Sequence, residues 1–225
     1  MNTNLTCKIL NKQFYNFSQQ TLKRHNSNYN QVIYKLQSFE KEYKRLGVTE
    51  SFVFQAQQFA KSCSDKGLMD FSGIIYSFLI KIPNISDSTK ENLIIKSIEI
   101  AKNQDDTIHE LARIVDLKKL YKNSKKFSQK KYIKTLFKEE EILTYIIKNY
   151  SICKLKFKTL AKDANNIKTY QFRLGTAKVD IAKAHIQTDK KLAKKMLLEA
   201  KEIFTDLDRS AELAFVNELL RELKC

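Results

Sequence analysis

An apolar triplet recurs down the chain at steps of about forty residues. It reads Val32-Leu36-Phe39, Ser72-Tyr76-Leu79, Cys153-Phe157-Leu160 and Ala193-Leu197-Ala200, with first members 40, 81 and 40 residues apart. The slot skipped in the middle falls at Ala112, where Asp116 and Lys119 break the pattern. Spacing within each triplet is by three and four, which places its members on one face of a helix. Self-similarity at a fixed step of 20–50 residues is the mark of stacked supersecondary units. The chain is therefore constrained to repeated helical segments, each burying a stripe against its neighbours.

Composition supports that constraint. Only 4 glycines and 1 proline occur in 225 residues, well below the roughly 7% and 5% of average usage. Sheets with many corners need both residues at their turns, so long helices are expected. Trp is absent, and 14 Phe and 10 Tyr supply the bulky core side chains.

Helix boundaries follow from caps and breakers. Helices are expected over about 29–46, ended by Gly47; about 49–65, started by Thr49-Glu50-Ser51 and ended by Gly67; and about 69–82, stopped by Pro83. Hydroxyl and carboxylate side chains satisfy free N–H groups at a helix start, glycine closes a helix with a left-handed residue, and proline cannot continue the ladder. Further helices are expected from Asp87-Ser88 to about 103, and from Asp105-Asp106 to about 123. Others follow from 128 to a break near 149–151, from there to about 162, and over 167–187, 190–205 and 208–223. The inner faces are read as Phe52, Ala56, Phe59, Ala60 and Cys63 in one helix, and as Ile108, Leu111, Ala112 and Val115 in another. The last helix turns Ala211, Leu213, Ala214, Val216, Leu219 and Leu220 inward. Short connections make consecutive helices antiparallel neighbours. Residues 1–28 are polar and read as an arm or short helix, and 29–225 as one helical domain.

Two stretches carry a family pattern. The first is Phe59-Ala60, Gly67, Ser72, Tyr76 and Leu79, with Pro83 near its end. The second is Ala184-His185-Ile186-Gln187-Thr188-Asp189 followed by Ala193, Leu197 and Ala200. Small residues fall where two helices would touch, and a larger one follows four residues on. The chain thus resembles tetratricopeptide-like repeats, with a step near forty instead of 34, and without the early tryptophan and helix-packing glycine of that family. The resemblance implies an all-α fold of antiparallel hairpins stacked as an α-solenoid, with an irregular helical bundle as the alternative. It also implies a non-enzymatic scaffold that holds a protein or peptide on the face of the first helix of each pair. Helical phase puts Gln57, Gln58, Lys96, Asp180 and Lys183 on that face.

The charge is +16, and only six of the basic residues are arginine. A basic surface favours anionic partners, although a chain rich in Lys, Asn and Ile is also what AT-rich codons produce. The densest run is Lys118, Lys119, Lys122, Lys125, Lys126, Lys130, Lys131 and Lys134, with Tyr121, Phe127 and Tyr132 between them. Such a run could neutralise phosphates of a nucleic acid or another polyanion while the rings stack on bases. The plainer reading is a solvated helix face.

Chemistry of other kinds finds little footing. Asp105, Asp106, His109 and Glu110 form a compact cluster of metal-compatible groups, but a second Asp/Glu-x-x-His segment is missing, so acids at a helix start are the simpler reading. Cys7, Cys63, Cys153 and Cys225 lack metal-type spacing. Cys63 and Cys153 read as buried thiols, which are poor nucleophiles. Glu139-Glu140-Glu141 reads as a solvated run. No cofactor, no metal, no enzyme activity and a cytoplasmic location are expected, and no stretch is long and apolar enough to span a membrane.

Overall fold

The computed structural model describes residues 34–35, 37–38, 41–42, 45, 49–82, 85–124, 128–156 and 166–223. The expected arm at 1–28 and the triplet members Val32, Leu36, Phe39, Phe157 and Leu160 lie outside them. The described residues from 34 to 45 are helical, within the helix expected over 29–46. Among the described residues nine further helices follow: α1 (Glu50–Asp65), α2 (Met69–Lys81), α3 (Asp87–Asn103), α4 (Thr107–Asn123), α5 (Gln129–Lys148), α6 (Tyr150–Lys156), α7 (Ile167–His185), α8 (Lys190–Asp206) and α9 (Ser210–Glu222). No strand occurs among the described residues, and none of their helices is long and apolar enough to cross a membrane. Contacts divide the chain into two compact units, Met1–Ile100 and Ala101–Cys225.

In the first unit α1 and α2 form a hairpin. Thr49 starts α1, its hydroxyl accepting from the Phe52 N–H at 3.1 Å. Gly67 ends it at φ 74°, and the Leu68 N–H returns to the Cys63 carbonyl at 2.8 Å. That is the left-handed closure glycine allows without strain. The inner face then meets α2 closely. Ser72 donates its hydroxyl hydrogen to the Ala60 carbonyl at 2.8 Å, and both residues are fully buried. Two small side chains permit that approach, while Phe52 meets Phe78 edge-to-face at 6.1 Å. The triplet Ser72-Tyr76-Leu79 is buried throughout. Past α2, Ile82 adopts extended backbone (ψ 126°), the region imposed on a residue that precedes proline. Ser86 then caps α3 by accepting from the Thr89 N–H. Leu93, Ile94 and Ile98 form the buried face of α3 in this unit.

The second unit is a succession of antiparallel neighbours, α4 against α5, α5 against α7, α7 against α8 and α8 against α9. Direction is set by side-chain pairs at both ends. Phe137 in the middle of α5 meets His185 at the end of α7 (5.9 Å), and Tyr150 just past α5 meets Tyr170 near the start of α7 (6.3 Å). The core is Leu136, Ile181, Ala182, Ala193, Leu197, Ala200, Phe204 and Val216. The last triplet, Ala193-Leu197-Ala200, is wholly buried. A glycine stands at the contact of α7 with α8: a Cβ on Gly175 would stand 2.7 Å from the Phe204 ring.

Two helical faces differ from expectation. In α4 only Leu111 of the four expected inner residues is buried. Ile114, Leu117 and Tyr121 join it, and Ala112 and Val115 are half-buried. The expected stripe continues into Asp116 and Lys119, whereas the observed one continues into Leu117 and Tyr121 and carries Arg113, buried and paired with Asp116 at 3.2 Å. In α9 only Val216 and Leu219 are buried, while Ala211 and Ala214 are exposed. Packing on α8 alone covers less of this last helix than its composition allows.

Candidate functional site

A cleft of about 490 Å³ opens in the second unit where α4 begins. Its walls are Ala101, Lys102, Asp105 to Ile108 and Glu110 on one side, and Tyr145, Ile152 and Cys153 on the other. Local chain geometry builds both walls. Asp105 takes φ 51° and the Asp106 N–H returns to the Ala101 carbonyl at 2.8 Å, so α3 closes and α4 starts within four residues. Opposite, Asn149 ends α5 by donating through its backbone N–H and its side-chain amide to the Tyr145 carbonyl, both at 3.0 Å. The chain re-enters helix at once in α6, which carries Ile152 and Cys153 to the cleft.

The wall chemistry is acidic and apolar. Asp106 is committed: one oxygen accepts from the His109 N–H at 3.0 Å and caps α4, and the other bonds His109 Nδ1. Burial would raise the Asp106 pKa, but the His109 contacts outweigh it and hold the carboxyl below its usual range. Glu110 is different. Its side chain is 12% exposed, and Oε1 lies 3.7 Å from Lys102 Nζ and 4.0 Å from Lys138 Nζ. That oxygen has no hydrogen-bond partner among the described residues. Tyr145 and Ile152 stand 52% and 63% exposed at the rim. An acidic wall, Asp105, Asp106 and Glu110, beside exposed apolar surface suits a cationic side chain flanked by an apolar one. As for a metal, no three His, Cys, Asp or Glu side chains among the described residues are placed to share an ion.

Behind the cleft runs a buried ionic network that the sequence reading missed. Glu139, read as solvated, is 3% exposed. Lys118 Nζ lies 2.6 Å from its Oε2 and 3.3 Å from Asp180 Oδ2, and Arg173 approaches its other oxygen at 3.9 Å. Lys178, itself buried, reaches Glu140 Oε1 at 2.8 Å and also bonds Glu199. Burial alone would lower both lysine pKa values. The hydrogen bonds and charges of Glu139 and Asp180 raise Lys118 instead, and those of Glu140 and Glu199 raise Lys178. Each ion here has a counter-ion, the condition under which buried charge is tolerated.

The sequence-derived site residues scatter. Gln57 is half-buried on α1, Gln58 is exposed there, and Lys96 is exposed on α3. Asp180, expected on an open partner face, is engaged by Lys118. Lys183 is exposed but stands over the Phe215 ring at 5.2 Å. Of the lysine run, Lys118 is internal. Lys119, Lys122, Lys130, Lys131 and Lys134 are exposed, and Lys125 and Lys126 lie outside the described residues. The rings expected to stack on bases are not open: Tyr121 is buried with Lys131 over it at 5.6 Å, and Tyr132 is half-buried. Phe127 lies outside the described residues. Compared with models of known protein families, with curated proteins and with solved structures, the chain matches none.

Proposed function

We propose that this chain is a non-enzymatic scaffold built of tetratricopeptide-like hairpins in an α-solenoid, and that the cleft at the start of α4 receives a peptide segment of a protein partner. The carrying observation is the exposed apolar pair Tyr145 and Ile152 at a cleft whose opposite wall holds Asp105, Asp106 and Glu110. The partner segment carries a lysine or arginine next to an apolar residue. The hairpin reading is supported within the first unit by the Ser72–Ala60 contact and within the second by Gly175, Ala193 and Ala200 at the α7–α8 contact. A scaffold instead of a catalyst is supported by the state of the thiols. Both Cys63 and Cys153 are buried, and burial pushes Cys63 up to about 11, far from a reactive thiolate.

Peptide display against the immobilised protein tests the reading. Recovered peptides should share a basic residue beside an apolar one, and Ile152→Asp or Glu110→Gln should weaken their binding about tenfold or more, as expected for interface residues worth over 1 kcal/mol. Peptides that bind both variants as tightly as the parent would place the site elsewhere.

A further inference from the structure

A second surface lies at the opposite end of the same unit. Antiparallel packing brings the end of α4, the start of α5, the end of α7 and the start of α8 together there. Lys131 over Tyr121 joins the first two, and Phe137, in the middle of α5 and about two turns past Lys130, meets His185 at the end of α7. Asp189, whose N–H reaches the His185 carbonyl at 2.8 Å, carries the chain directly into α8. Lys119 and Lys122 on α4, Lys130 and Lys134 on α5, and Lys190 and Lys191 on α8 are all exposed. Among the described residues none of these six has an ion-pair partner. Asp180 on α7 and Asp189 in the turn into α8 are engaged, the first by Lys118 and the second by the Leu192 N–H at 2.9 Å. Lys190 and Lys191 stand 56 or more residues beyond Lys134 in sequence, so only the fold adds them to the lysine run.

We propose that this end of the second unit binds the phosphate backbone of double-stranded nucleic acid without reading sequence. Ammonium groups on flexible stems act as point charges toward phosphates, and specific base contacts lean on Arg, Asn or Gln. A single strand is disfavoured because Tyr121, set among the lysines, is buried and Tyr132 is half-buried, which limits the rings available for stacking. Phe137, 37% exposed and against His185, lies toward this end, so a lipid surface is separated from a duplex by the vesicle measurement below. Neighbouring helices stand about 8–10 Å apart, so the lysines of successive helices meet successive phosphates and not one.

Fluorescence anisotropy with a labelled 25-base-pair duplex of mixed sequence tests this directly. Six lysines set a slope of log affinity against log salt of at most about −5, so raising salt from 50 to 200 mM should weaken binding about 10²- to 10³-fold. The variant Lys130→Glu with Lys134→Glu should lose most of the affinity at 50 mM salt. Its charge-matched control is Lys148→Glu with Lys168→Glu, at the opposite end of the unit, which should bind as the parent does. Helical circular dichroism of both variants should match the parent. No duplex binding at 50 mM salt overturns the proposal, and so does equal weakening by the two variants. Tighter binding to the single strand, or pelleting with phosphatidylserine vesicles in place of duplex binding, overturns it as well. None of these readouts depends on Ile152 or Glu110, so the outcome is separate from that at the cleft.

Discussion

Glu139 shows how residue type and residue position compete. It lies between Leu136 and Leu143 on the buried stripe of α5, so helical phase points it inward while its charge points it out. The fold resolves the conflict with Lys118, and serves Lys178 with Glu140 and Glu199. These partners are 21 to 62 residues apart in sequence, counting Lys178–Glu199 and Lys118–Asp180. The pairing was not legible from the sequence, because no local pattern carries it. Gly175 is a second case of meaning supplied only by the fold. Its absent Cβ leaves room for the fully packed Phe204 ring, with a Cβ there only 2.7 Å from Cε1. Gly175→Ala gains about 1 kcal/mol of helix propensity but overpacks at a cost of about 1–3 kcal/mol. Because Phe204 is buried and backed by Phe172 at 5.9 Å, overpacking is expected to win. Urea unfolding should show a lowered midpoint with an unchanged slope. A raised midpoint would mean that Phe204 yields.

At the scale of the element, boundaries were legible and faces less so. Thr49, Asp106 and Asp189 start helices as their side chains suggest, each accepting an N–H of the first turn. The break at Asn149 was legible too. The faces of α4 and α9 were not, because each holds apolar residues on more than one side and neighbours choose among them. Closure of helices supplies a sharper test. Three helices end alike, with a left-handed residue followed by an N–H that returns to a carbonyl five residues back. Gly67, Asp105 and Asp208 hold the left-handed positions at φ 74°, 51° and 54°. After Asp208, the Arg209 N–H reaches the Phe204 carbonyl at 2.9 Å. A side chain in that conformation costs about 1 kcal/mol, which glycine avoids. Asp208→Gly should therefore stabilise the chain by up to about 1 kcal/mol, and Asp208→Ala should destabilise it. Asp208 is exposed and distant in sequence from the cleft, so the comparison reads backbone strain alone. Equal unfolding midpoints for the two variants would reject the strain argument.

At the scale of the whole molecule, charge sets the response to pH, and two effects oppose each other. With a charge of +16 at pH 7 and a sequence pI near 9.6, self-repulsion fades as pH rises toward that point. Against this, the perturbed groups that titrate in the alkaline range hold their protons more tightly folded than unfolded. Burial, aided by nearby carboxylates, raises Tyr76, and burial raises Cys63 to about 11. In the other unit burial raises Tyr132 and Tyr170, while Glu139, Asp180, Glu140 and Glu199 raise Lys118 and Lys178 over the opposing effect of burial. A raised folded value means more bound protons in the folded state, so stability falls as pH climbs from the unfolded value to the folded one. For Cys63 that window opens near pH 8.5, and for the tyrosines and lysines near pH 10. Relief of repulsion acts mainly below the pI, and proton loss acts mainly above it. The melting temperature at low salt should hold or rise from pH 7 to about 9, then fall beyond pH 10. Adding salt should flatten the lower limb, since it screens surface repulsion, and leave the upper limb, which belongs to buried pairs that salt screens far less. A melting temperature still climbing at pH 11 would show that surface repulsion, and not the buried lysines and tyrosines, governs the stability of this chain.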